Sequence, residues 1–419
     1  MLAIIHKQAE KYDILKKRTG GELQEKYIMK GWIIMQALLY RSPKIVHFGN
    51  NAIQMLKGEL TLFEAKNIMV ITDPGIVRAK ITDLLEAHLA DAGIPYIVFP
   101  EVEPEPSFDT VRKATAIAKE HGVDFVIGIG GGSAMDVAKA VSLCAVDDID
   151  ILDKMGVDTV TTQGLPKLLI PTTAGSGSEV TPAIVLSDTA ANIKKASWSR
   201  FNLADVVICD PSFTRSMPKH ITAETGCDAL SHALEAYVSR RANAITDVLA
   251  EKSIKLIAKS LRQAYENGDD MQAREDMATA SMMAGIAFGS AGLGCVHAIS
   301  YPLTTTFKLS HGKAQAVAMP CVMRFNALSC VEKYAQAAAL FGVNPSGKSA
   351  EQMAVSAADA IEAFVNDLGI STKLSDYGVA ESHLNEMADV AVLTNARLVS
   401  TNPRNMSVEE AITVYQSAL

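Results

Sequence analysis

Basic runs are missing from this chain. Its 39 lysines and arginines stand against 47 acidic residues, a formal charge of −8, and no cluster of one sign prepares a surface for nucleic acid or anionic lipid. Long apolar runs are missing too. Gly31 to Tyr40 is apolar but short, and no uninterrupted stretch reaches the roughly 18 residues that cross a bilayer, so neither a signal peptide nor a membrane span is expected. Cysteine is sparse: Cys144, Cys209, Cys227, Cys295, Cys321 and Cys330 are scattered with no CxxC pair. That excludes a disulfide framework and fits a reducing cytoplasm. Low-complexity tracts are also absent, so disorder is not indicated.

What is present is an ordinary enzyme-like composition, 48% hydrophobic over 419 residues, longer than one core usually supports, which leads us to expect two domains. Residues 1–40 read as a leader, rich in Lys and Glu over its first 34 or so residues, to which no function is given; Met35 is an alternative start. From Lys44 to about Asp210, β-rich runs alternate with helical patterns: Asn67 to Thr72, Tyr96 to Phe99, Phe125 to Ile129, Leu168 to Ile170 and Val206 to Ile208. Between the first two, Leu84, Leu85 and Leu89 recur at helical spacing within Ile81 to Ala92. Such alternation predicts a parallel sheet covered by helices, an α/β domain over 41–214. After Pro218 strands disappear and Ala/Met/Leu segments take a 3.6-residue period, predicting an all-α domain over 215–419. Helices are expected at Ala223 to Ser239, Ala244 to Tyr265, Ala273 to Ile299 and Gly312 to Leu328, with further segments to the end.

In the first half, Gly130-Gly131-Gly132-Ser133 follows an apolar run directly and precedes a helical pattern, Ala134 to Leu143. Glycines let backbone N–H groups approach a pyrophosphate, and a helix N-terminus adds partial positive charge for the same anion. Ser133 is also a candidate helix cap. A plain turn between strand and helix is the competing explanation. Pro171 to Glu179 is a second loop of small hydroxyl residues after an apolar run, suited to hydrogen-bonding a cofactor, or simply an ordinary surface loop. Asp73 ends a strand, where a carboxylate accepts from a ribose 2′-hydroxyl and repels a 2′-phosphate, favouring NAD(H) over NADP(H); alternatively it is a turn residue before Pro74.

In the second half, Asp228 and His232 are four apart and share a helix face. His297 is expected near the carboxyl end of a helix, Gly285 to Ser300, and His311 after a loop containing Pro302. Two ligands from one helix and one each from two others make a three-imidazole, one-carboxylate shell suited to divalent first-row metals. Any single histidine is more often a surface or hydrogen-bonded core residue. These three, however, lie in Ala- and Gly-rich segments poor in other polar groups, whereas His6, His47, His88, His121, His220 and His383 do not.

Taken together, Gly130 to Ser133 with Asp136 and Lys139, Pro171 to Thr181, Gly226 to Glu235, Gly292 to Pro302, Ser310-His311-Gly312 and Asn402-Pro403-Arg404 resemble the iron-containing (group III) metal-dependent alcohol dehydrogenase family. The match runs from about Ser42 to near the end of the chain. The resemblance implies a Rossmann-like N-terminal domain plus an all-α C-terminal domain, the dehydroquinate synthase-like architecture, and members that are dimers or larger. It implies metal ligands at Asp228, His232, His297 and His311. Cofactor contacts are implied at Asp73, Gly130, Gly131, Gly132, Ser133, Asp136, Thr172, Thr173, Ser176 and Lys195, and an aromatic pocket wall at Phe288. Ala134 and Ser176 stand where proline and threonine are frequent. Tyr301, four after His297, occupies a position where many members carry a proton-relaying histidine; a tyrosine is a weak base at neutral pH, so no relay residue is assigned.

The expected function is hydride transfer between NAD(H) and a small alcohol or aldehyde at a divalent metal, Fe(II) by family and Zn(II) as the competitor. A second class shares the architecture: NAD-dependent sugar-phosphate cyclases of the dehydroquinate synthase type. Those need a basic pocket, for which Lys194, Lys195, Arg200, Lys308 and Lys313 are the candidates, without clustering near the ligands.

Overall fold

The computed structural model describes residues 39–419 apart from 147, 148, 190 and 192. The expected leader therefore lies outside the described residues up to position 38, with Met35 and nearly all of the apolar Gly31–Tyr40 segment.

Strands β1 (Ile45–Phe48), β2 (Ile68–Ile71), β3 (Tyr96–Phe99), β4 (Phe125–Gly130), β6 (Lys167–Pro171) and β9 (Val206–Cys209) form one sheet in the order β1-β9-β6-β4-β2-β3. Every pairing in it is parallel. All residues of β2, β4, β6 and β9 are buried. Helices on both faces explain why these strands read as apolar runs and not as alternations. Among the described residues the first five α-helices are α1 (Leu56–Leu62), α2 (Pro74–Arg78), α3 (Ile81–Ala92), α4 (Phe108–Glu120) and α5 (Gly132–Cys144). Successive strand residues point to opposite faces. Met69, Ile71, Val126 and Leu169 thus share a core with Val111 of α4 and Val137 of α5, while Ile68, Val70, Ile127 and Leu168 pack with Leu60 of α1 and Leu85 of α3.

The chain passes from β2 outward to β3, then returns to the other side of β2 as β4 and continues to β6 and β9. At such a reversal the connections leave in opposite directions, and a crevice opens beyond the carboxyl ends of the two strands, here β2 and β4. Asp73 follows β2, and Gly131 and Gly132 follow β4. The sheet order therefore brings the carboxylate and the glycine run to one crevice.

Two strand features were not expected. β1 (Ile45-Val46-His47-Phe48) is an edge strand whose residues are exposed or half-buried. β7 (Ala183–Asp188) and β8 (Ile193–Trp198) form an antiparallel hairpin that, with β5 (Gly156–Val157), makes a second, three-stranded sheet. The lysines of β8 hide its strand character.

The helical half begins with α6 (Lys219–Val238), α7 (Ala244–Glu266), α8 (Met271–Ala291), α9 (Cys295–Thr305) and α10 (His311–Asn326). It closes around an extensive core that includes Leu230, Leu234, Ile254, Ile257 and Leu261. The single helix expected from Ala273 to Ile299 is instead two, α8 and α9, bent by 107° at Gly292-Leu293-Gly294. Gly292 adopts φ +82°, a backbone state that ends a helix at low cost only for glycine. A Cβ at Gly294 would lie 3.0 Å from Asn402 Oδ1 and 3.2 Å from Glu235 Oε1. His297 consequently sits in the first turn of α9, not near the end of a longer helix, and Pro302 lies inside α9, not in the loop before His311. Among the described residues no single helix is long and apolar enough to cross a membrane; the bent pair α8–α9 has the length and composition together, but most of its residues are buried within the protein.

Candidate active site

The crevice beyond β2 and β4 has two walls. Asp73 accepts through Oδ1 from the backbone N–H groups of Gly75 (2.8 Å) and Ile76 (3.1 Å), capping α2. The turn role before Pro74 is therefore real. Its other oxygen, Oδ2, lies 3.3 Å from the point a Cβ at Gly130 would occupy, so the carboxylate also faces the glycine run. Gly130 has φ +151°, and a Cβ there would meet Ala134 Cβ at 2.7 Å. The N-cap of α5 is Gly131, with no side-chain cap. Ser133 is thus not the cap: α5 starts before it, and its hydroxyl stands in the first turn beside the free N–H groups of the helix end.

The hydroxyl loop after β6 supplies the second wall. Thr173 Oγ1 and Ser176 Oγ lie 3.8 and 3.1 Å from the Cβ positions of Gly131 and Gly132 respectively. Side chains at those two glycines would fill the space between the loops. Thr172 Oγ1 is buried with no partner among the described residues, a hydroxyl whose unmet hydrogen bond has a cost unless a ligand completes it. Asp136 stands behind this wall: its carboxylate accepts from Ser178 Oγ (2.5 Å), Lys139 Nζ (3.0 Å) and Val185 N (2.8 Å). It ties α5 to the hydroxyl loop and to β7. Lys195 is similarly engaged, its ammonium 2.9 Å from Asp188 across the hairpin.

The same loop reaches the helical half. A Cβ at Gly175 would meet Thr225 of α6 at 2.7 Å, and one at Gly177 would meet the Cα of Gly285 in α8 at 2.7 Å. Only glycine allows this approach. Gly175 O in turn accepts from His232 Nδ1 (3.2 Å).

Asp228 and His232 of α6, His297 of α9 and His311 of α10 each offer one ligand atom, and these atoms all lie within 4.8 Å of one another. His232 Nε2 and His311 Nε2 are both 3.6 Å from Asp228 Oδ1. Ligand atoms roughly 2.1 Å from an ion at tetrahedral angles stand roughly 3.4 Å apart, so the spacing suits a divalent ion. The chemistry agrees. Asp228 Oδ1 and His297 Nε2 are buried and have no hydrogen-bond partner among the described residues, an expensive arrangement unless something accepts their lone pairs. Burial, aided by neighbouring His232 and opposed by Asp228, pushes the His297 imidazole down to about 3, so it is neutral and able to ligate at pH 7. Asp228, His232 and His297 are buried, whereas the His311 side chain is 47% exposed. The cluster therefore opens to solvent on the His311 side.

Phe288 of α8 stacks on His232, ring centroids 4.3 Å apart and 29° from parallel, backing the ligand ring with an apolar wall. Tyr301, one turn beyond His297 on α9, accepts through its hydroxyl from Lys194 N (3.3 Å) and so joins α9 to β8. One partner in the cluster escaped the sequence reading: Glu235, whose Oε2 is hydrogen-bonded to His297 Nδ1 at 2.5 Å. Its position three residues after His232 on the same helix was the available signal.

Comparison with known proteins decides the family. Residues 43–211 match the model for iron-containing alcohol dehydrogenase, and residues 222–419 match that for the C-terminal part of the Fe-containing alcohol dehydrogenase family. The chain belongs to the iron-containing alcohol dehydrogenase family. It is 41% identical over 379 residues to long-chain-alcohol dehydrogenase 1 of Geobacillus thermodenitrificans, covering 90% of this chain and 95% of that one. Among solved structures it resembles a 1,3-propanediol oxidoreductase (TM-score 0.89, 37% identity, 92% of this chain and all of that one). It also resembles a sulfoacetaldehyde reductase from Bifidobacterium kashiwanohense in complex with NAD+ (TM-score 0.81, 30% identity, 91% and 99%). Membership makes this chain an alcohol dehydrogenase or aldehyde reductase, and the family implies NAD(H) and a divalent metal. The sugar-phosphate cyclase alternative is not favoured.

Proposed function

We propose that this enzyme interconverts a small uncharged alcohol and its aldehyde with NAD(H) in preference to NADP(H), using one divalent ion, Fe(II) by family, held by Asp228, His232, His297 and His311. In this reading residues 41–214 bind the dinucleotide and residues 215–419 the metal. The observation that carries it is the pair of buried, partnerless atoms Asp228 Oδ1 and His297 Nε2 inside a four-residue cluster of ligand spacing.

When bound, the ion would supply Lewis acidity to the substrate oxygen, and the nicotinamide would take or give the hydride. The chain's own task is alignment. The loop through Gly175 and Gly177 touches both the glycine run and α6, so one rigid segment sets the distance between cradle and cluster, the kind of positioning that lowers a barrier by removing orientational freedom. Buried Phe288 and the small residues of α8 keep water from the inner side of the cluster, leaving the His311 side for entry. Thr172, Thr173, Ser133 and Ser176 offer hydroxyls, and Gly131 and Gly132 backbone N–H groups, to the cofactor. Tyr301 holds β8 against α9.

An uncharged substrate is favoured because the lysines at hand already have partners. Lys194 pairs with Glu105, Lys195 with Asp188 and Lys313 with Glu224, while Lys308 donates to Thr305 O. The relatives' names span a long-chain alcohol, a diol and a sulfonated aldehyde, so a panel decides. Short alcohols, diols, long-chain alcohols and anionic aldehydes are assayed with NADH and NADPH, after loading with Fe(II) or Zn(II) and after chelation. Turnover of uncharged substrates, lost on chelation and restored by metal, is expected; undiminished activity in the metal-free protein would end the proposal. We also propose a cytoplasmic homodimer, a compartment consistent with the six free cysteines; light scattering should return twice the 44.8 kDa chain mass.

Asp73→Asn tests the cofactor preference. The amide oxygen can still cap α2, so the fold is retained while the charge is removed. At about 4 Å in water each unit charge pair is worth about 1 kcal/mol, so relief of repulsion toward a dianionic 2′-phosphate should raise kcat/KM for NADPH roughly tenfold or more. The value for NADH should fall or stay level. An unchanged NADPH to NADH ratio would remove Asp73 from the preference.

A further inference from the structure

Helix α6 carries more of the cluster than two ligands. Glu224, Asp228, His232 and Glu235 fall within an arc of about 80° on one helix face, at 3.6 residues per turn. The outer two are buried carboxylates; Glu235 reaches a ligand that α6 does not itself supply, and Glu224 reaches the residues flanking another. Glu235 Oε1 accepts from the backbone N–H groups of Val296 (2.6 Å) and His297 (3.3 Å), and Oε2 lies 2.5 Å from His297 Nδ1. Glu224 brackets His311: Oε2 accepts from Ser310 Oγ (2.5 Å), and Oε1 is 3.2 Å from Lys313 Nζ. A Cβ at Gly312 would lie 2.3 Å from Glu224 O, so the backbone after His311 is seated directly on α6.

We propose that Glu235 and Glu224 are positioning residues for the two ligands outside α6: Glu235 fixes the tautomer and ring orientation of His297, and Glu224 fixes the start of α10 that presents His311. The proposal rests on the cluster being the metal site. Its logic for Glu235 is one of donors and acceptors. Two backbone N–H groups hold Oε1, and an ionised carboxylate can only accept through Oε2, so His297 Nδ1 carries the proton and Nε2 keeps its lone pair facing the cluster. In Glu235→Gln the retained oxygen satisfies the two backbone N–H groups. The new –NH2 then faces Nδ1, which must become the acceptor, and the proton moves to Nε2, the ligating atom. Turning the amide round would instead oppose –NH2 to two backbone donors. Glu224→Gln is different, because a Ser hydroxyl accepts as readily as it donates.

The test measures Zn(II) affinity of the folded protein by chelator competition, together with the His297 tautomer by 15N NMR of the metal-free protein. Wild type should bind one ion per chain and show His297 protonated at Nδ1. Glu235→Gln should bind about 10–100-fold more weakly, the usual cost of losing a ligand's outer partner, and show the proton at Nε2. Glu224→Ala should lose about tenfold and Glu224→Gln less than about threefold. Undiminished affinity in Glu235→Gln, or an unchanged tautomer, would overturn the proposal while leaving the metal site standing. Absence of Zn(II) binding by wild type would instead overturn the metal site itself. Should Glu235→Gln not fold, a wild-type His297 protonated at Nε2 would contradict the proposal directly, and undiminished affinity in Glu224→Ala would overturn its second part.

Discussion

His297→Ala is expected to lower kcat/KM by at least about 10³-fold, roughly 4 kcal/mol of transition-state stabilisation, while NADH binding stays within about twofold. The substitution removes one of two partnerless atoms in the cluster and leaves the other, Asp228 Oδ1, buried with fewer neighbours to offset it. Metal affinity should fall with activity, because the three remaining residues lose the one donor supplied by α9. The fold should survive. His297 is in the first turn of α9, whose position is also held by Asn402 Oδ1 accepting from Cys295 N (3.2 Å) and by Glu235 accepting from Val296 N. NADH binding, read by fluorescence or calorimetry, should depend on the crevice beyond β2 and β4 proposed for the dinucleotide, to which His297 does not contribute. Loss of NADH binding together with turnover would mean that the variant has unfolded or that the two halves of the site are not separable.

Gly132→Val is expected to give the opposite pattern. At this first residue of α5 a Cβ would lie 3.1 Å from both Cβ and Oγ of Ser176. Valine's branched side chain then meets the hydroxyl loop and occupies the space between the loops in which a pyrophosphate would reach the free N–H groups of the helix. NADH affinity should fall at least about 100-fold, on the order of 3 kcal/mol, with one metal ion per chain retained. Normal NADH affinity in the Gly132→Val protein would place the dinucleotide elsewhere and undo the assignment of the cradle.

Much of this site was legible from residue order alone, for identifiable reasons. A glycine run between an apolar strand and a helix has few structural uses, and Asp228 and His232 share a face at any helix of normal pitch. The three histidines stood out because their Ala- and Gly-rich surroundings offered no other partner, and the structure gathers them with Asp228. What stayed hidden depended on neighbours far along the chain. Glu235 acquires a partner only when α9 is placed against α6 and brings His297 to it. The bonds of Asp136 to Ser178 and Val185, which tie α5 to the hydroxyl loop and β7, join residues some forty or more positions apart. The break between α8 and α9 was missed because the apolar pattern continues across Gly292 to Gly294, and periodicity does not register a glycine adopting positive φ. β8 was missed because Lys194 and Lys195 interrupt it, whereas β1 (Ile45-Val46-His47-Phe48) and β7 (Ala183-Ile184-Val185-Leu186) do carry short apolar runs that were passed over.

The central claim, that Asp228, His232, His297 and His311 hold one divalent ion at the opening beside the cofactor crevice, is tested most directly by anomalous scattering from crystals of the Fe(II)- or Zn(II)-loaded protein. A single peak per chain is expected within bonding distance, roughly 2.0–2.3 Å, of Asp228 Oδ1, His232 Nε2, His297 Nε2 and His311 Nε2. A fully loaded, active protein whose metal peak lies away from these four atoms would contradict it.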